Sequence, residues 1–125
     1  MERIILFQTN KTTENQIRRL TSAKKISLVI LERDCAAGTM AELAEGKGKG
    51  PLSALEQLPE ESLMVFCDVT EKHFDKLLFE MRSKKIQIDY KAVLTPVNCH
   101  WTLPQLMREL QNERQQIQLN HAFPL

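Results

Sequence analysis

The chain is poor in the residues on which most recognisable chemistry depends. Its 125 residues include four glycines, three cysteines, one tryptophan and one tyrosine. No G-x-G-x-x-G follows the first apolar run, so a dinucleotide loop is not expected. The stretch Gly46-Lys47-Gly48-Lys49-Gly50 lacks G-x-x-x-x-G-K-[ST], follows no strand and continues into Pro51 rather than Ser or Thr. Neither G-x-S-x-G nor H-E-x-x-H occurs. The cysteine count is odd and there is no C-x-x-C, which argues against a disulfide framework and for a reducing compartment. The formal net charge is +1, too small to draw nucleic acid or an anionic membrane through a global field. No apolar run approaches the roughly 18 residues of a membrane span, and Met1-Glu2-Arg3 leads into an apolar strand without a signal-peptide layout. These absences predict a cytoplasmic protein with no nucleic-acid or membrane partner and no cofactor.

What is present is an ordinary globular pattern, 42% hydrophobic and 26% charged, expected as one domain over residues 1–125. Four apolar runs read as strands: Ile4 to Phe7, Ile26 to Leu31, Leu63 to Cys67 and Ala92 to Leu94. Continuous runs of this kind suit strands covered on both faces. Between them, Thr13 and Gln16 offer a capping-box spacing ahead of Ile17, Leu20 and Ala23. Thr70 caps a helix in which Phe74, Leu77, Leu78 and Met81 form one apolar stripe. Pro51 to Leu58 reads as a short helix, residues 46–50 as a mobile glycine–lysine loop, and residues 119–125 (LNHAFPL) as an apolar tail. No internal repeat stands out. The alternation predicts an α/β fold: three α/β/α layers with a four-stranded, mainly parallel sheet in the order 2-1-3-4. The alternative is a ferredoxin-like α+β sandwich. The length of region 34–62 favours a crossover.

A parallel sheet would gather its strand C-termini on one edge, where open α/β sheets bind ligands. Asn10, Asp68 and Asn98 are the ligand-binding candidates there, with backbone amides near Thr70 and Thr102 suited to an anion. Cys35, Cys67 and Cys99 each fall just after a strand, and His100 adjoins Cys99. They come singly, without the paired spacing of zinc sites, so no metal site is expected, and a redox or metal role for the three is the weaker alternative. Asp68 invites comparison with phosphoacceptor receiver domains. Such a domain would carry an acidic pair after its first strand, where Gln8, Thr9 and Asn10 stand, and a lysine where Thr95 stands. No catalytic residue is assigned.

The densest stretch is Lys91 to Leu110. Pro96 stops the last strand, Thr102 and Gln105 have capping-box spacing, and Pro104 falls in the first turn. Leu103, Leu106, Met107 and Leu110 form one stripe. Trp101 is placed to fold back on that turn, so Pro96, Trp101 and Thr102 are read as structural. Asn98 either locks the turn through its own backbone or faces the crevice. From Leu63 to Glu113, and most specifically in T-P-x-N-x-x-W-T-L (Thr95, Pro96, Asn98, Trp101, Thr102, Leu103), the chain resembles a bacterial domain-of-unknown-function family, number 3783 in that series. The resemblance implies a small bacterial protein and carries over no reaction. The functional expectation is a non-enzymatic binding or interaction module, with a homodimer through the last helix or the tail as one form of it. The alternative is small-molecule or anion binding at the sheet edge.

Overall fold

The computed structural model describes residues 1–53 and 57–122, with side chains through residue 115. In chain order the elements are β1 (Arg3–Phe7), α1 (Lys11–Ala23), β2 (Ser27–Leu31), α2 (Met40–Ala44), β3 (Leu63–Cys67), α3 (Glu71–Ser83), β4 (Tyr90–Val93) and α4 (Leu103–Ala122). Single 3-10 turns, Arg33–Cys35 and Asn98–His100, follow β2 and β4. The helix expected over Pro51 to Leu58 falls partly on residues 54–56 and the tail partly on 123–125, all outside the described residues.

The strands form one sheet in the order β2-β1-β3-β4. The two outer pairings are parallel and the central one, β1 with β3, is antiparallel, with Ile5 opposite Val65. The sheet is therefore mixed. Alternating side chains divide the core. Ile4, Leu6, Met64 and Phe66 pack with Ile17, Leu20, Leu77 and Met81 of α1 and α3. Ile5, Phe7, Leu63 and Val65 pack with Met40 and Leu43 of α2 and Leu103, Leu106 and Met107 of α4. Helices cover both faces, so the ferredoxin-like alternative, with helices on one face, does not form.

The central antiparallel pairing follows from the region 34–62. It does not cross the sheet but turns back on itself. The Lys49 amide donates to the Ala37 carbonyl (2.8 Å), the Ala37 amide to Gly50 (3.1 Å) and the Leu52 amide to Arg33 (3.0 Å). The close approach needs glycine at position 48, where a Cβ would lie 2.0 Å from the Cys35 carbonyl oxygen. The residues 46–50, expected as a mobile loop, are thus hydrogen-bonded to the segment beside α2. β3 then starts at the sheet end where β2 stopped.

The fold repeats itself, contrary to the reading of the bare residues. β1 and β3, and α1 and α3, are the same length and lie 60 residues apart. Their N-caps, Asn10 and Thr70, keep that spacing. So do the non-glycine residues in left-handed backbone, Gln8 (φ 59°) with Asp68 (56°) and Lys25 (58°) with Lys85 (56°). Lys25 and Lys85 each close a Schellman turn, the next amide bonding back to Thr21 (2.9 Å) or Met81 (2.8 Å). The identical triplets Lys24-Lys25-Ile26 and Lys84-Lys85-Ile86 are the signal in the sequence. The second halves meet as well. Thr39 and Thr102, the residues preceding α2 and α4, form an antiparallel bridge, and the Met40 amide donates to the Trp101 carbonyl at 2.8 Å. Two β-α-β-turn-α units therefore pack about a pseudo-twofold axis near Ile5 and Val65. The capping box expected at Thr13 is instead a cap by Asn10, which accepts from the Thr13 amide at 2.8 Å.

α2, only five residues long, depends on its cap. Glu42 accepts from the Thr39 amide (2.9 Å) and from the Lys49 ammonium (2.9 Å). Those contacts, the Thr39 amide first, hold its carboxyl at about 2 rather than 4.5. A depressed acid contributes stability that is complete above its unfolded value and lost as pH falls through the folded one. Wild type is therefore expected to be more stable than Glu42→Gln at neutral pH. The gap should close between pH 4.5 and about 2, as read from denaturant unfolding at a series of pH values.

Candidate functional site

Mixed strand directions split the expected ligand edge in two. Asn10 lies beyond β1 at one end of the sheet; Asp68 and Asn98 lie beyond β3 and β4 at the other. Asn10 spends its side chain on the α1 cap. Asp68 is exposed in left-handed backbone. The anion position at the α3 N-terminus is filled from within the chain. The Glu2 carboxylate accepts from the Thr70 amide (3.0 Å), the Thr70 hydroxyl (3.3 Å) and His73 Nδ1 (2.7 Å). The Thr70 amide, then His73, draw the Glu2 carboxyl below its ordinary range. The Thr102 hydroxyl is the α4 cap, accepting from the Gln105 amide at 3.4 Å.

The cysteines are likewise divided. Cys35 is exposed after β2, and Cys67 is buried at the far end of β3. Burial, then the Asp68 charge, push the Cys67 thiol up to about 11. Cys99 donates to the Pro96 carbonyl at 3.4 Å. Among the described residues no group of three or more His, Cys, Asp and Glu is placed to hold a metal ion.

The residues that do converge are those around β4, an edge strand. The Tyr90 and Leu94 amides donate inward, to Ser62 (2.9 Å) and Phe66 (2.9 Å). The alternate residues Lys91 and Val93 therefore turn their backbone groups outward. Asn98 closes that edge. Its amide donates to the Val93 carbonyl (3.0 Å) and its oxygen accepts from the Thr95 amide (2.8 Å). A neighbouring parallel strand would make the same pair of bonds, to residues i and i+2. Thr95 returns the contact, its hydroxyl accepting from the Val97 (3.3 Å) and Asn98 (3.1 Å) amides. At the other end of β4 the Arg114 guanidinium donates to the Asp89 carbonyl and lies 4.2 Å from the Tyr90 ring centroid. Asn98 thus locks the turn that follows β4.

Clefts flank the closed strand on both faces. Toward α3 an apolar cleft of about 170 Å³ is lined by Phe66, Phe74, Leu78 and Val93. It adjoins a larger one of about 360 Å³ with Arg82, Lys85 and Lys91 on its rim. Toward α4 a cleft of about 240 Å³ lies among Trp101, Leu106, Leu110, Glu109 and Glu113, with Asn98 at its end. Trp101 is only partly buried; it packs on the core and also forms a wall of this cleft. Periodicity alone showed the inward stripe of α4 but not the groove that its shoulder makes with β4.

Replacing Asn98 with Ala leaves the Val93 carbonyl and Thr95 amide to water. We expect a loss of ~1–2 kcal/mol in urea unfolding and faster hydrogen exchange at Thr95. Asn98→Asp should not rescue, since a carboxylate cannot donate to the Val93 carbonyl.

No curated protein and no solved structure matches the chain. Residues 62–117 match the family model described as a domain of unknown function, DUF3783. That span is the second structural unit, from the residue before β3 into α4, and contains the whole Thr95-to-Leu103 lock. Over residues 62–117, somewhat less than half of its length, the chain is similar to the DUF3783 family.

Proposed function

We propose that the protein is a non-enzymatic binding module whose contact surface is the β4 side of its second unit. One observation carries this reading. Setting Met1 aside, the large apolar side chains left exposed among the described residues are Phe79, Val93 and Val97, at 66%, 50% and 68%. All three belong to the second unit, and Val93 stands between the two faces' clefts. The chemistry suits a polypeptide partner. An apolar anchor fits among Phe66, Phe74 and Leu78, and one such side chain fully buried contributes ~1.5–3 kcal/mol. Acidic residues beside it would meet Arg82, Lys85 and Lys91, while Glu109 and Glu113 favour a basic residue on the α4 side.

A random peptide library selected on the wild-type protein tests this. Enriched peptides should bind Val93→Lys and Val93→Glu at least ~10-fold more weakly, a difference of ~1.4 kcal/mol, while both variants of this half-exposed residue keep the wild-type melting temperature. No enrichment, or peptides that bind every variant alike, would sink the proposal.

A second reading rests on a different cleft, about 450 Å³, at the opposite end of the sheet and lined by Gln8, Thr9, Asn10, Gln16, Lys85 and Asp89 among others. Its lining is polar. Glu60 and Asp89 outweigh Lys85 in charge, so it suits a neutral or cationic small molecule better than an anion. A thermal-shift screen of sugars, amino acids and polyamines should give a hit that Gln16→Ala abolishes; a flat screen removes this reading.

A further inference from the structure

The two units close their outer edges differently. β4 is blunted by Asn98 on the Val93 carbonyl, by Arg114 on the Asp89 carbonyl and by the charge of Lys91. Its counterpart β2, Ser27–Leu31, carries no charge over five residues. The turn after β2, Glu32 to Cys35, offers no Asn where the second unit has Asn98. Leu28, Val29 and Ile30 are only partly buried, although Leu28 and Ile30 pack on one core face and Val29 on the other.

From these observations we infer that β2 is the interface for a second copy of this chain, pairing antiparallel with the partner's β2 about a twofold axis at Val29. The backbone chooses the occupant. The Ser27 amide donates inward to the Glu2 carbonyl at 3.2 Å, so Leu28 and Ile30 are the residues whose N–H and C=O groups point outward. With the axis at Val29, Leu28 of each copy faces Ile30 of the other. These are the two outward residues, and they exchange hydrogen bonds as two reciprocal pairs. The apolar side chains Leu28 and Ile30 then pair across the seam, and Val29 meets Val29, with no charge opposed to a like charge. The operation repeats the one already used inside the chain, where equivalent strands β1 and β3 pair antiparallel. The product is a continuous eight-stranded sheet with the blunted β4 at each end. β4 cannot form the same contact, because its outward Val93 carbonyl is taken. This interface is independent of the clefts beside β4.

The test uses the full chain. Sedimentation should show a wild-type dimer that dissociates on dilution. Val29→Lys and Val29→Glu, each placing like charges opposite one another, should be monomers separately and should restore a 1:1 dimer when mixed. A wild-type monomer at all concentrations, or a dimer that persists in both variants, overturns the inference. Should either variant misfold by circular dichroism, amide exchange on the wild type decides. The outward amides of Leu28 and Ile30 should be protected at high concentration and lose protection on dilution. If they exchange rapidly while the inward amide of Val29 stays protected, the edge is open and the inference fails.

Discussion

The antiparallel pairing of β1 with β3 is the constraint on which the remaining architecture depends. It sets the pseudo-twofold axis, gives each half its own parallel partner strand, and places the two strand-end regions at opposite ends of the sheet. The pairing is apolar on both faces, since Ile4 to Phe7 and Leu63 to Cys67 are all buried. A one-residue slip would exchange the faces without exposing a polar group to the core, so alternation does not specify the register. The polar ends of β1 do. The Arg3 guanidinium donates to the Ala44 carbonyl at 2.9 Å, and Gln8 Nε2 donates to the Pro59 (2.8 Å) and Glu61 (3.0 Å) carbonyls. Gln8 reaches into the connection between the units and Arg3 to the end of α2, where that connection begins, so the segment that reverses the chain is tied to the seam. The Lys24–Glu80 ion pair joins α1 to α3 over the same axis, on the other face.

From this seam follows the division of possible chemistry. An all-parallel sheet would put Asn10, Asp68 and Asn98 around one crevice. With the centre reversed, each falls to local work: a helix cap, a left-handed turn and a strand closure. The α3 N-terminus, the best-placed anion site by backbone alone, holds Glu2 instead. These three side chains are thereby committed to local structure; the clefts beside β4 are bounded by apolar and rim-charged residues, and the cleft at the opposite end of the sheet by polar ones.

The strand positions, their order, the covering of both faces and the caps at Thr70 and Thr102 were legible in the sequence, because apolar runs and cap spacings are local signals. The direction of β3 was not. It depends on whether region 34–62 crosses the sheet or returns, and the return is made by backbone bonds among Arg33, Ala37, Lys49 and Gly50 and by the space that only Gly48 leaves. Side-chain patterning carries no record of these. The start of α1 was misplaced by one turn because Thr13 and Gln16 satisfy a spacing rule that Asn10 satisfies better. The repeat was hidden for a related reason. What recurs is a set of backbone conformations and caps, filled by different residues except at the two Lys-Lys-Ile triplets. Among the candidate-site residues, Asn98 bonds to Val93 and Thr95 within its own turn, and the groove between β4 and α4 needed the fold.

Asn98 also explains why a segment dense in sequence signals is chiefly architectural. A carboxamide is a peptide group on a side chain, and bonded to Val93 and Thr95 it stands in for one residue of a fifth strand. Thr95 and Asn98 hold one another, Pro96 keeps the ladder from continuing, and Thr102 begins α4 at the angle that leaves room beside Trp101. The same residues that end the sheet thus shape the groove next to it. A strand that is closed to backbone pairing can still be recognised by side chains, and one that is left open pairs with whatever strand matches it. The two units of this chain differ in that respect: Asn98 closes the outer edge of β4, and the turn after β2 carries no asparagine to do the same.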